Sequence, residues 1–215
     1  MKKTALAMTL MVIGLSTLSA RPGYCGDEPV VPVGDRDAFL RDLQRNGMST
    51  TPEDAMLLRI LVETRKAQSG VEVGSAAGFG AINMGIAFER TGGHLFTLEI
   101  DPNLVKACRD NVAKVGLEKS VTCIEGDALQ TLPALEGEFD FVFLDAVKKD
   151  YLKYLKFLEP KLKPGAVIVA DNVIQSAEAM KDYLEYIKTG PDYETVIVRA
   201  SDEKQDGMAI TYKIK

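Results

Sequence analysis

One histidine, His94, and three cysteines, Cys25, Cys108 and Cys123, are all the imidazole and thiol that 215 residues offer. A single histidine rules out multi-histidine metal binding and leaves almost nothing for histidine-based catalysis. An odd cysteine count without C-x-x-C spacing argues against both a disulfide framework and a cysteine zinc site. Basic residues are outnumbered, 26 against 31 acids for a net charge of −5, and no Lys/Arg run marks a face for phosphate backbones. Nucleic acid is therefore not an expected partner. What the chain does have is apolar mass: 46% hydrophobic and 27% charged residues are the balance of one globular domain with a sizeable core.

The first twenty residues stand apart. Lys2 and Lys3 precede a charge-free stretch from Thr4 to Ala20, which ends in the small residues Ser19 and Ala20 before Arg21, the pattern of a secretory signal peptide. Left uncleaved, the same stretch lies at the short end of bilayer-spanning length and would tether the chain to a membrane. An exported, periplasmic or membrane-tethered location is expected, with a cytoplasmic one as the alternative. Residues 21–34 are rich in proline and glycine and read as a linker, which leaves 35–215 as the folded domain.

From Asp35 onward helix and strand alternate, which implies an α/β fold: a Rossmann-like, doubly wound and mostly parallel sheet with helices on both faces. Thr51-Pro52-Glu53-Asp54 supplies an N-cap, a first-turn proline and two acids ahead of Met56, Leu57, Ile60 and Leu61, a helix start. Strands are expected at Val71–Gly74, Leu95–Ile100, Val121–Ile124, Phe139–Leu144 and Ala166–Ala170, with the nearly all-apolar fourth covered on both faces. Helices are expected over Ala81–Arg90, after Asp101-Pro102, and over Lys148–Leu158 and Ala177–Ile187. Lys163-Pro164-Gly165 reads as a turn. Glu194–Arg199 and Met208–Ile214 lie too close in sequence for a crossover and form a C-terminal antiparallel hairpin.

Ligands of such sheets bind beyond the carboxyl ends of the strands, and that is where the informative residues fall. Glu72-Val73-Gly74-Ser75-Ala76-Ala77-Gly78-Phe79-Gly80 is a glycine-bearing turn before a helix N-terminus. It fails the dinucleotide fingerprint, since Ala76 and Phe79 hold the second and third glycine positions, and no G-K-[ST] follows. Glu99 ends the second strand, placed to accept hydrogen bonds from ribose hydroxyls. Gly126-Asp127-Ala128 follows the third, where an adenine would lie, although Gly-Asp there is equally an ordinary turn. Asp145 and Asp171-Asn172 end the fourth and fifth strands. Together they offer three hard oxygen ligands, suited to Mg²⁺, Mn²⁺ or Ca²⁺ and wrong for structural zinc, unless they merely cap the adjoining helices. Lys148 lies one helical turn beyond Asp145.

Those segments, with Leu98-Glu99-Ile100-Asp101-Pro102, Phe143-Leu144-Asp145-Ala146-Val147-Lys148-Lys149-Asp150-Tyr151 and Ala170-Asp171-Asn172 in this order and spacing, resemble the cation-dependent class I O-methyltransferases, which include the catechol and caffeoyl-CoA enzymes. The resemblance runs from about Gly47 to Lys215, and D-x-x-K-x-x-Y followed by A-D-N is its most specific part. It implies S-adenosylmethionine as methyl donor, with Glu72, Gly74, Ser75, Gly78 and Phe79 lining the methionine part. Glu99 would be on the ribose, Asp127 and Ala128 beside the adenine, and Met48 near the reacting groups. It further implies a divalent ion on Asp145, Asp171 and Asn172, Asp145 also as a catalytic residue that touches the donor, Lys148 as general base, an aromatic vicinal diol as acceptor, and a homodimer. Gly80 departs from a serine common in the family, and Ala146-Val147 from the His-Trp pair of the animal catechol enzymes. An exported, non-catalytic binding protein on the same fold is the alternative reading.

Overall fold

A computed structural model describes residues 30–45 and 48–215. The expected signal or anchor at 1–20, most of the linker and Cys25 lie outside the described residues. Within them the chain runs α1 (Arg36–Asp42), α2 (Pro52–Arg65), β1 (Ser69–Val73), α3 (Phe79–Thr91), β2 (His94–Glu99), α4 (Pro102–Lys114) and β3 (Val121–Glu125). It continues through α5 (Ala128–Ala134), β4 (Phe139–Leu144), α6 (Tyr151–Leu158), β5 (Leu162–Ala170), α7 (Lys181–Thr189), β6 (Tyr193–Val198) and β7 (Met208–Lys213). The helix starts follow local chemistry: Thr51 Oγ1 accepts from Asp54 N ahead of Pro52, and Asp101 Oδ1 accepts from Asn103 N at 2.7 Å ahead of Pro102. No described helix is long and apolar enough to cross a membrane.

The seven strands are ordered β3-β2-β1-β4-β5-β7-β6, parallel except for β7, which runs antiparallel between β5 and β6. The order reverses between β1 and β4, and crevices in doubly wound sheets open at that reversal. Every residue of β4 is buried, as its apolar run requires. One face of the sheet packs on α5, α6 and α7 through Leu132, Tyr151, Leu155, Tyr183 and Ile187, the other on α2, α3 and α4 through Leu58, Val62, Ile82, Phe88 and Val112.

Three expectations are adjusted. Lys163-Pro164-Gly165 is not a turn between elements but an excursion inside β5. Phe139 pairs with Leu162 and Phe141 with Val167, so three extra residues bulge out, at a position where Pro164 has no ladder bond to donate. The helix expected from Ala177 starts at Lys181, because turns occupy the chain after Asn172, whose φ is +61°. Lys148–Asp150 is a 3₁₀ turn leading into α6.

Candidate active site

At the strand reversal Gly74 N donates to Leu98 O at 2.8 Å and Asp145 N to Val73 O at 2.9 Å, which pins the ends of β1, β2 and β4 together. A cavity of about 730 Å³ opens there, within the range of small-molecule sites. Nine of the residues singled out in the sequence line it: Met48, Gly74, Glu99, Asp127, Ala128, Asp145, Lys148, Asp171 and Asn172. Ala146 and Val147 join its wall, and Met48 stands on the rim, 64% exposed.

Glu72, Ser75, Gly78 and Phe79 do not line the cavity. Glu72 is fully buried on the opposite face of β1, where it accepts a hydrogen bond from the Thr97 hydroxyl of the neighbouring strand. Its carboxyl also fills the space beside Gly80, where a Cβ would come within 2.7 Å of Glu72 Oε1, so a serine there requires the glutamate to shift. Ser75 Oγ turns back to Ala76 O, Gly78 caps α3 against Cys108, and the Phe79 ring lies under the Arg45 guanidinium at 5.7 Å.

Burial holds the Glu72 carboxyl well above the usual carboxylate range, with the Thr97 hydroxyl opposing it. Between an unfolded value near 4.3 and the raised folded value, the native state keeps a proton that the unfolded chain has released, so stability falls as pH rises through that window. Glu72→Gln is therefore expected to gain stability relative to the parent protein as pH rises above the unfolded carboxyl value near 4.3. Urea unfolding of both proteins at each pH checks this, and a stability difference that does not grow contradicts it.

The Glu99 carboxylate is already engaged: Oε2 accepts from Ala76 N at 2.9 Å, and Oε1 from Ile100 N at 2.8 Å and Asp101 N at 3.0 Å. About four acceptor positions exist on a carboxylate, so one remains for a ligand hydroxyl. Asp127 caps α5 through Leu129 N at 2.9 Å, which fixes the turn on which Ala128 sits. Both the capping role and the cavity-lining position therefore hold for Asp127.

On the β4 and β5 side the groups are charged and tightly connected. Lys148 Nζ donates to Asp145 Oδ1 and to the Tyr151 hydroxyl, both at 2.8 Å, and Tyr151 donates to Asp171 O at 3.3 Å. Burial, reinforced by the Asp145 charge, pushes the Tyr151 hydroxyl well above its ordinary range and keeps it neutral. Burial and the same Asp145 charge push Asp171 up to about 6, against the pull of Lys204. Asn172 gives its amide nitrogen to Asp206 Oδ2 at 3.1 Å, which leaves its oxygen as the end available to a cation. Two carboxylates and an amide oxygen on one cavity wall are the donor chemistry a hard divalent ion takes, so the residues present fit such an ion.

Lys204 was not legible in the sequence. Its ammonium lies 2.8 Å from Asp54 Oδ2 and 2.8 and 2.7 Å from the two Asp171 oxygens. Asp54 reads locally as a first-turn helix acid, and no spacing rule connects positions 54, 171 and 204. The Arg45–Glu203 pair, 3.0 Å on both arms, closes the same side and was equally invisible.

A parallel sheet that reverses between β1 and β4 and takes an antiparallel β7 between β5 and β6 is the class I methyltransferase fold, and the glycine turn, strand-end acid and oxygen cluster sit where that fold binds ligands. The chain belongs to the O-methyltransferase family, whose model matches residues 36–189. It is similar to the catechol O-methyltransferase of Niastella koreensis, 33% identical over 139 residues that cover 63% of this chain and 62% of the relative. It is also similar to the catechol O-methyltransferase of Mycobacterium tuberculosis, 32% identical over 151 residues covering 70% and 67%. The chain thus spans a little under two thirds of the first of these relatives. The solved O-methyltransferase of Bacillus cereus in complex with SAH shares the fold, with a TM-score of 0.74 at 21% identity over 84% of this chain and 90% of that one. The alternative of a non-catalytic binding protein finds no support in these similarities.

Proposed function

We propose that the chain transfers the sulfonium methyl of S-adenosylmethionine to one hydroxyl of an aromatic vicinal diol chelated by a divalent ion, Mg²⁺ or in its place Mn²⁺ or Ca²⁺. The observation that carries this reading is a single cavity lined both by Gly74, Glu99, Asp127 and Ala128 and by Asp145, Lys148, Asp171 and Asn172. The two relatives named as catechol O-methyltransferases support the acceptor class.

In this reading the spare acceptor position of Glu99 takes a ribose hydroxyl, and Asp127 and Ala128 flank the adenine. Asp145, Asp171 and Asn172 would hold the divalent ion, which when bound supplies Lewis-acid polarisation to the two oxygens of the diol. Lys148 Nζ, fixed between Asp145 and Tyr151, accepts the hydroxyl proton. Ala146, Val147 and Met48 offer the aromatic ring an apolar surface. The methyl is already activated on sulfur, so the protein's task is to align donor and nucleophile, and such positioning is worth up to about 7–11 kcal/mol.

The test is methyl transfer from labelled donor to catechols and caffeoyl thioesters, with Mg²⁺ and again with EDTA. Transfer that EDTA abolishes is the expected result; no transfer to any vicinal diol from a protein that binds the donor overturns the reading. Glu99→Gln, which loses the negative charge facing the ribose, is expected to weaken binding of the demethylated donor roughly 10- to 100-fold, as for a lost hydrogen bond to a charged group. Calorimetric titration measures it, and unchanged affinity removes Glu99 from the donor site.

A further inference from the structure

The loop between β6 and β7, residues 199–207, is strapped across the cavity at several points. Glu203 pairs with Arg45, Ser201 Oγ donates to Glu53 Oε2 at 3.3 Å, and Asp206 accepts from Ile174 N at 2.9 Å and Gln175 N at 3.1 Å. Lys204 is the innermost of these contacts. Its ammonium donates to both oxygens of Asp171 and forms an ion pair with Asp54 Oδ2 at 2.8 Å. The Asp54 and Asp171 side chains are 1% and 3% exposed and that of Lys204 is 20% exposed, so the cluster is largely withdrawn from water while Asp171 and Lys204 still line the cavity. Two buried carboxylates without a cation would be costly, and the lysine supplies that cation from within the chain.

The position matters because Asp171 is one of the residues that fit a divalent ion, and Lys204 already holds both of its oxygens. We propose that Lys204 is a tethered competitor for the divalent-ion site: the ion binds Asp171 only by displacing the ammonium. The inference rests on the divalent-ion reading above and adds to it a device that sets the affinity for the ion. Asp54 gives the lysine a second anchor, so the displaced ammonium keeps one carboxylate partner and its release from Asp171 is reversible. Because the ion binds only the fraction of molecules in which Asp171 is free, its apparent affinity is lowered by that fraction. The proposal needs no change in oxidation state and no covalent step, only the exchange of one cation for another on a carboxylate.

Mn²⁺ binding to the full chain, read by electron paramagnetic resonance of the free ion, tests this without recourse to turnover. Lys204→Met is expected to bind Mn²⁺ at least tenfold more tightly than the parent, while Lys204→Arg, which keeps the charge, stays near the parent value. Lys204→Gln removes the charge but retains hydrogen-bonding groups, and should move with Lys204→Met, so the outcome does not depend on one variant folding. Equal or weaker Mn²⁺ binding by the neutral variants overturns the proposal and leaves the divalent-ion site standing. Failure of the parent and all three variants to bind Mn²⁺ overturns both.

Discussion

Gly74→Ala is expected to cost the fold on the order of 2–6 kcal/mol, about 1–3 from the left-handed backbone and about 1–3 from overlap in a packed site. The φ of Gly74 is +97°, and a Cβ built there falls 2.2 Å from Asp145 O and 2.9 Å from Asp145 C. Both atoms are backbone, and neither has freedom to retreat. Asp145 N is bonded to Val73 O and Gly74 N to Leu98 O, so making room means parting β1 from β4 at the point where the sheet order reverses. Gly92→Ala is the matched control. Gly92 also has a positive φ, +76°, but its Cβ would meet nothing within 4 Å, so only the same backbone cost of about 1–3 kcal/mol should appear. With a total stability of about 5–15 kcal/mol, the difference between the two variants is large enough to read from urea midpoints. Similar losses for both would mean that the β1–β4 junction yields more easily than its hydrogen bonds suggest. The folded fraction of Gly74→Ala is also expected to bind the methyl donor poorly, because the added Cβ sits at the turn that lines the donor half of the cavity.

The fold was legible because its signals are local and periodic. The apolar run Phe139–Leu144, the caps at Thr51 and Asp101, and the hairpin at the C-terminus each depend on a few adjacent residues. The strand-end positions of Glu99, Asp127, Asp145 and Asp171 follow from the rule that parallel sheets present their carboxyl ends to ligands. Glu72 shows where that reading stopped short. Its motif places it with the glycine turn, but the two-residue period of β1 puts its side chain on the face of Thr97, away from the cavity. The short helices α1 and α5 carry too few turns to show a periodic face. Lys204, Asp54, Arg45 and Glu203 were out of reach for a different reason. They meet only because the β6–β7 loop folds back over the N-terminus of α2, and sequence separations of 117 and more residues, as between Asp54 and Asp171 or Arg45 and Glu203, leave no spacing to read.

Lys148→Met is expected to lower the rate constant of methyl transfer by about 10²- to 10⁴-fold, the usual contribution of a positioned general base, while leaving donor affinity within about twofold. The long unbranched side chain keeps the aliphatic packing of the lysine stem and removes only the amine. Asp145 and the Tyr151 hydroxyl each lose the bond from Nζ at 2.8 Å, and Tyr151 keeps its bond to Asp171 O. Tyr151 cannot take over as base, because burial and the Asp145 charge hold its hydroxyl proton in place. In the proposed reading the donor lies against Gly74, Glu99, Asp127 and Ala128, and Lys148 Nζ bonds to none of these but to Asp145 and Tyr151, so the effect should fall on the chemical step and not on binding. Lys148→Arg separates proton transfer from simple charge, since a guanidinium keeps the positive charge but cannot be deprotonated in a protein. If Lys148 works as a base, both variants lose turnover together; if it contributes only charge, Lys148→Arg retains most of the rate. Single-turnover methyl transfer, paired with calorimetry of the demethylated donor, distinguishes the two. A Lys148→Met rate within fivefold of the parent would remove Lys148 from the reaction altogether.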